Sequence, residues 1–173
     1  GESMRRAYLT SPVEFSRVTS GFKMRLHPIL KTWRAHLGTD FAAPTGTAVR
    51  TVGDGVVEFA GVQNGFGNVV FVKHRNQHVT VYAHLSRIDV RQGQSVEQGQ
   101  TLGAVGATGW ATGPHLHFEF RVNGVHQDPQ TIVAQSEAAA PVSAASRPAF
   151  DRLAANMRIQ LSAAARIEQA SAE

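Results

Sequence analysis

At 173 residues, with 42% apolar and 17% charged side chains and a net charge of +4, the chain suits one ordinary domain with some extra and can bury a proper core. No apolar run approaches the roughly 18 residues that would suggest a membrane-spanning helix. The absence of cysteine excludes disulfide frameworks, thiolate metal sites and cysteine nucleophiles, but fits an exported or a cytosolic protein equally. The positive balance admits an anionic partner; Lys and Arg are scattered without aromatic-basic interleaving, which argues against a nucleic-acid surface.

In chain order, Gly1-Glu2-Ser3-Met4 reads as a cloning remnant ahead of a fragment, so a missing targeting signal says little about location. Residues 1–16 are taken as a lead-in. Residues 17–133 are rich in Gly, Val, Thr and Phe, with short alternating runs between turn signals, the pattern of a mainly β domain with antiparallel strands. Expected strands are Val49–Val52, Gly55–Val62, Asn68–His74, Gln77–His84, Gly103–Gly106, His115–Arg121 and Val122–His126. Asn123-Gly124 is a tight hairpin turn. Two Gly-Gln runs over 90–102 read as successive turns leading into short strands.

From residue 134 the composition changes. Residues 134–148 are Ala, Ser and Pro with little to bury, a linker. Phe150, Leu153, Met157, Leu161 and Ala164 then recur at helical spacing behind Pro148, so 149–173 is expected to carry an amphipathic helix without chemistry of its own.

The chemistry is carried by Gly113-Pro114-His115-Leu116-His117-Phe118-Glu119-Phe120, a turn feeding a strand. Alternation puts His115, His117 and Glu119 on one face and Leu116, Phe118 and Phe120 on the other. Two imidazoles one repeat apart can share a small ligand if distant residues complete the shell. His36-Leu37-Gly38-Thr39-Asp40, if extended, presents His36 and Asp40 together, with Gly38 permitting close approach. In Val81-Tyr82-Ala83-His84 a histidine ends a strand. His36, Asp40 and one of His115 or His117 would give Zn²⁺ three ligands and leave a fourth position for water, whose pKa the metal lowers to about 7. His84 and the remaining histidine would then handle protons or the oxyanion. Spacing alone leaves open which of His115 and His117 is the ligand. Glu119 reads equally as a partner of His117 or as a salt-bridged or exposed glutamate, and Trp110 as core or groove wall, with a place lining the substrate channel as the rival. His74, His78 and His126 read as structural or surface residues, and His27 as a loop-stabilising residue with substrate contact as the rival.

Together His36-x-x-x-Asp40, Tyr82-Ala83-His84 and His115-x-His117 resemble the M23 peptidases, the lysostaphin-like zinc metallopeptidases of bacterial cell walls. Ser20-Gly21-Phe22, Arg25-Leu26-His27-Pro28, Ala43-Pro44-x-Gly46-Thr47-x-Val49, Gly67-Asn68 and Thr108-Gly109-x-x-x-Gly113-Pro114 follow the same order and spacing. The resemblance covers about 17–130 and is nearest the Gram-negative branch that cuts peptide cross-links. It implies a compact antiparallel β domain with a groove, one zinc per chain held by His36, Asp40 and His117, and His84 and His115 as catalytic histidines. It further implies a peptidoglycan substrate cut at a D-Ala–diaminopimelate cross-link, with a glycine bridge as alternative. A periplasmic or envelope location follows, with an upstream anchoring or inhibitory part outside this sequence. Degenerate members of the family activate other wall hydrolases, but none of the five positions here departs from the pattern. A biotinyl- or lipoyl-type carrier, suggested by the Gly-Gln repeats, fits poorly, because Lys23, Lys31 and Lys73 occupy no such hairpin tip.

Overall fold

A computed structural model of the protein describes residues 7–14, 16–26 and 33–138. The helix expected over 149–173, the linker beyond Ala138 and His27 lie outside the described residues. In chain order the strands are β1 (Arg17–Ser20), β2 (Lys23–Leu26), β3 (Trp33–His36), β4 (Thr39–Ala42), β5 (Ala48–Arg50) and β6 (Gly55–Gln63). They continue with β7 (Gly67–Lys73), β8 (His78–Ile88), β9 (Ser95–Val96), β10 (Thr101–Val105), β11 (His115–Val122) and β12 (Val125–Gln127), and α1 (Pro129–Ala138) follows.

One antiparallel sheet runs β1-β4-β11-β8-β7-β6-β9, with β12 on β11, β10 on β8 and β5 on β10, while β2 and β3 pair separately. The centre, β7-β8-β11, is apolar on both faces. Val70, Val72, Tyr82, Leu116, Phe118 and Phe120 enter the main core with Val49, Val57 and Leu102. The alternate residues Val69, Val81 and Ala83 form a smaller cluster with Phe59, Phe66 and Phe71. His117 pairs with Ala83 and Glu119 with Val81. Residues directly opposite share a face, so the expected polar face of β11 lies beside the smaller cluster.

Several elements differ from the sequence reading. The hairpin turn at Asn123-Gly124 has positive φ at both residues (50° and 78°), as a type I′ turn requires. It therefore divides the strand expected over Val122–His126 between β11 and β12. His36 and Asp40 do not share one extended strand: the chain bends at Leu37-Gly38, ending β3 and starting β4. His84 does not end its strand, because β8 continues to Ile88. The lead-in is not idle, since Tyr8 and Val13 are buried in the main core and the Leu9 N–H donates to the Val52 carbonyl at 2.7 Å. α1 crosses the boundary expected at 133/134. Asp128 caps it, its Oδ1 accepting from the Gln130 N–H at 3.0 Å, with Pro129 in the first turn, and Ile132 and Val133 pack on the core.

Candidate metal centre

The site forms where β3, β4, β8 and β11 meet. β11 pairs with β4 in a register that sets His117 against Asp40. Gly38 lies over this pair, and a Cβ there would fall 2.5 Å from the Phe118 carbonyl oxygen and 2.7 Å from the His117 ring. Glycine is thus demanded by the imidazole's seat. Phe66 closes the other side, its ring stacked on His117 at 6.1 Å between centroids.

His84 reaches the site through a bulge. Asn68 pairs with Leu85 but Val70 with Tyr82, so β8 has one residue more than β7 over this stretch. In a regular strand His84 would share the core face of Tyr82. Instead it has φ of 61°, a sparsely populated conformation for a non-glycine residue. Leu85 takes the place in the core, and the His84 ring lies 4.8 Å from that of His115. Bulges commonly re-aim a side chain beside a functional site in this way.

Each imidazole has one nitrogen committed. A carbonyl oxygen only accepts, so Nδ1 carries the proton in His36 (to Gly21, 2.8 Å), His84 (to Thr108, 2.7 Å) and His115 (to Gly113, 2.8 Å). The lone pair of these rings is then on Nε2. His117 is the reverse. Its Nε2 donates to Glu119 Oε1 at 2.9 Å, and Nδ1 faces Asp40 Oδ1 at 2.8 Å. Glu119 is buried at 3% exposure and is held in turn by Arg121 (2.6 Å and 2.9 Å) and His126 Nε2 (3.0 Å). It is therefore both the partner of His117 and a salt-bridged glutamate, and not the exposed one its sequence position also allowed.

Among the described residues, His36, Asp40 and His117 offer ligand atoms all within 4.8 Å of one another. His36 Nε2 lies 3.1 Å from Asp40 Oδ2, and His115 Nε2 is farther, 3.9 Å from Oδ1. Burial alone would raise the Asp40 pKa, but hydrogen bonds from His117 and His36 hold the carboxyl well below the usual range. Burial would likewise lower His117, yet its bonds to Asp40 and Glu119 push it up to about 9. His84 is lowered, chiefly by burial, so it stays neutral and its Nε2 stays an acceptor. Two imidazole nitrogens, each ring oriented from behind, and one carboxylate, all within 4.8 Å of one another, fit a metal ion.

The five predicted residues are thus brought together. Residues not anticipated as parts of the site are Thr108, Gly113 and Gly21, whose carbonyls orient three rings, and Arg121 and His126, which brace Glu119. Gly21, Thr108 and Gly113 all stood within quoted motifs; nothing in the sequence marked their carbonyls. His74 and His78 lie elsewhere.

Comparison with known proteins agrees with this geometry. The sequence profile of peptidase family M23 matches residues 34–129. The chain belongs to this family. It is 49% identical over 133 residues to the peptidoglycan DD-endopeptidase ShyC of Vibrio cholerae, covering 76% of this chain and 31% of that protein. A solved zinc-containing peptidase from Vibrio cholerae is 41% identical with a TM-score of 0.69, over 72% of this chain and 39% of that one. The catalytic domain of lysostaphin from Staphylococcus simulans is 32% identical with a TM-score of 0.62, over 69% and 92% of the two chains. The M23 chain described here spans about a third of the length of the curated relatives it matches.

Proposed function

We propose that this chain is a zinc-dependent endopeptidase that hydrolyses peptide cross-links of bacterial peptidoglycan, acting at the cell envelope and in the periplasm. His36 through Nε2, Asp40 through its carboxylate and His117 through Nδ1 would hold the metal. Imidazole and carboxylate donors without thiolates favour Zn²⁺. When bound, zinc supplies Lewis acidity, polarising the scissile carbonyl and making water more acidic.

The remaining chemistry belongs to the two other histidines. Water oxygen adds to the carbonyl carbon, and its proton passes to a free imidazole Nε2 of His84 or His115. The resulting imidazolium hydrogen-bonds the developing oxyanion or returns the proton to the leaving amine as the C–N bond breaks. Both rings suit this work, because the carbonyls of Thr108 and Gly113 fix them in the tautomer that leaves Nε2 bare.

The observation that carries the reading is the convergence of His36, Asp40 and His117 on one point with two correctly tautomerised histidines beside it. The complete set argues against a non-catalytic activator. The DD-endopeptidase name of ShyC supports a D-Ala–diaminopimelate bond over a glycine bridge. The test is digestion of purified sacculi followed by mass analysis. Release of uncross-linked muropeptides, abolished by chelation and restored by zinc, is expected. Intact cross-links after digestion with the zinc-loaded protein would remove the proposal.

A further inference from the structure

Behind the metal centre, the hairpin joining β6 to β7 and the loop after β10 enclose an open cleft of about 430 Å³, within the roughly 300–1,000 Å³ of small-ligand sites. Val62, Gln63, Asn64, Asn68, Thr108 and Trp110 line it, with glycines between them and no ionisable side chain. Trp110 is 78% exposed and Val62 73%, unusual for large apolar side chains on one small surface. The chain beneath the indole is anchored: the Trp110 main-chain N–H donates to the Gly65 carbonyl at 3.0 Å, and a Cβ on Gly65 would sit 3.4 Å from the indole ring, in ordinary contact. The cleft and the catalytic site share a wall. Phe66 stacks on His117 while its neighbours Gly65 and Gly67 line the cleft, and Thr108, also in the lining, holds His84.

We propose that this cleft binds a sugar ring of the glycan strand next to the peptide being cut, a proposal that rests on the peptidoglycan reading above. A pyranose presents a flat patch of C–H groups ringed by hydroxyls and, in amino sugars, an acetamido group. Its complement is an exposed aromatic face with neutral donors and acceptors around it. Trp110 supplies the face and Gln63 and Asn64 supply uncommitted amides. A stem peptide, by contrast, carries carboxylates and an ammonium group, and nothing ionisable here would receive them. The sugar is covalently tied to the peptide, so holding it raises the effective concentration of the cross-link at the adjoining histidines.

The test compares a cross-linked muropeptide dimer bearing its disaccharides with the same peptide dimer stripped of sugar. The wild-type protein is expected to show a KM about tenfold lower for the sugar-bearing dimer, the order of one aromatic stacking contact. Trp110→Ala should erase that preference by raising KM on the sugar-bearing dimer alone, and Trp110→Phe should restore most of it. Equal losses on both dimers would assign the cleft to the peptide, and no change on either would leave it outside the substrate path; each overturns the proposal. If the wild-type protein cuts neither dimer, the hydrolase reading fails by itself. Titration with N-acetylglucosamine oligomers then decides: binding lost in Trp110→Ala supports the sugar site, and no binding overturns it.

Discussion

Among the described residues, two histidine clusters lie toward opposite ends of the β8–β11 pair, and they use the same side chain for opposite ends. At the start of β11, His115 and His117 meet His36 and His84 around Asp40. At its other end, Val122 pairs with His78, five residues from His117, roughly 17 Å along the strand. There His74 is bonded through both ring nitrogens, to the Asp54 carbonyl at 2.8 Å and to Thr80 Oγ1 at 2.7 Å. With the Nδ1 proton given to that carbonyl, His74 accepts from Thr80 through Nε2, and Thr80 Oγ1 lies 2.9 Å from the Tyr82 hydroxyl, while His78 Nδ1 meets the Tyr8 hydroxyl at 2.8 Å. Burial lowers the pKa of both His74 and His78 and pushes Tyr8 up to about 12. The far cluster is closed, ties the N-terminal segment to the sheet and stays neutral. In the near cluster a carbonyl or carboxylate holds the rear nitrogen of each ring, and the front nitrogens of His36 and His117 converge on the one Asp40 carboxylate. A histidine becomes a candidate for chemistry by where its second nitrogen is aimed.

The sharpest way to break this comparison is to remove one member from each cluster. Asp40→Ala is expected to abolish stoichiometric metal and to lower cross-link hydrolysis at least about a thousandfold, since the proposed site loses its carboxylate. His74→Leu should leave metal content and hydrolysis intact but cost about 1–3 kcal/mol of stability by taking a hydrogen-bond partner from the buried Thr80 hydroxyl. Metal analysis after dialysis, activity on sacculi and thermal unfolding separate these outcomes. Loss of metal in His74→Leu would erase the distinction between the clusters. Within the near cluster, His115→Ala should keep its metal and lose about 10²–10⁴-fold in rate. Loss of metal together with activity would make His115 a ligand.

Much of the near cluster was legible from the sequence, and the reason is chemical. Strand alternation alone put His115, His117 and Glu119 on one side and three large apolar residues on the other, as the sheet has them. The choice of His117 over His115 was not in the spacing. The family resemblance favoured His117, and the ring nitrogen that faces Asp40, set by the Glu119 carboxylate behind it, supports that proposal. His84 was found as a residue but not as a conformation. Its alternation with Tyr82 points to the core, and only the extra residue in β8, created by pairing with β7, turns it outward. The short strands β1 to β4 lacked a periodic signature because each is only four residues long. Helix α1 was signalled by Asp128-Pro129, a cap and a first-turn proline, but the Ala- and Ser-rich composition that follows masked it.

Glu119 offers a subtler probe of the same contrast. It touches no proposed substrate position, yet its carboxylate holds the Nε2 proton of His117 while Arg121 and His126 hold the carboxylate. Glu119→Gln preserves size but cannot accept from all three donors at once, because its amide nitrogen must face one of them. Zinc affinity, measured by competition with a chelator, should fall about 10–100-fold, with secondary structure unchanged. An unaltered affinity would reduce Glu119 to a brace for Arg121 and the β11–β12 hairpin.

The smallest effect is carried by a single proton. In the metal-free protein His117, raised to about 9, is protonated at neutral pH, donating to Asp40 and Glu119 together. A metal taking Nδ1 must expel that proton, so zinc affinity should rise about tenfold per pH unit up to roughly pH 9 and then level. Calorimetry in buffers of different ionisation enthalpy should register about one proton released per zinc near pH 7.5. The same shift stabilises the metal-free fold fully below the ordinary histidine pKa near 6.5, and the gain is lost as pH rises through about 9. Asp40, held low, works from the other side: its contribution is present above the ordinary carboxylate range and is lost on acidification. Metal-free protein should therefore melt at lower temperature on both flanks. His74, neutral when folded and lowered by burial, opposes folding only on the acid side. An alkaline loss of stability that disappears in His117→Asn but persists in His74→Leu would locate the titrating ring in the near cluster.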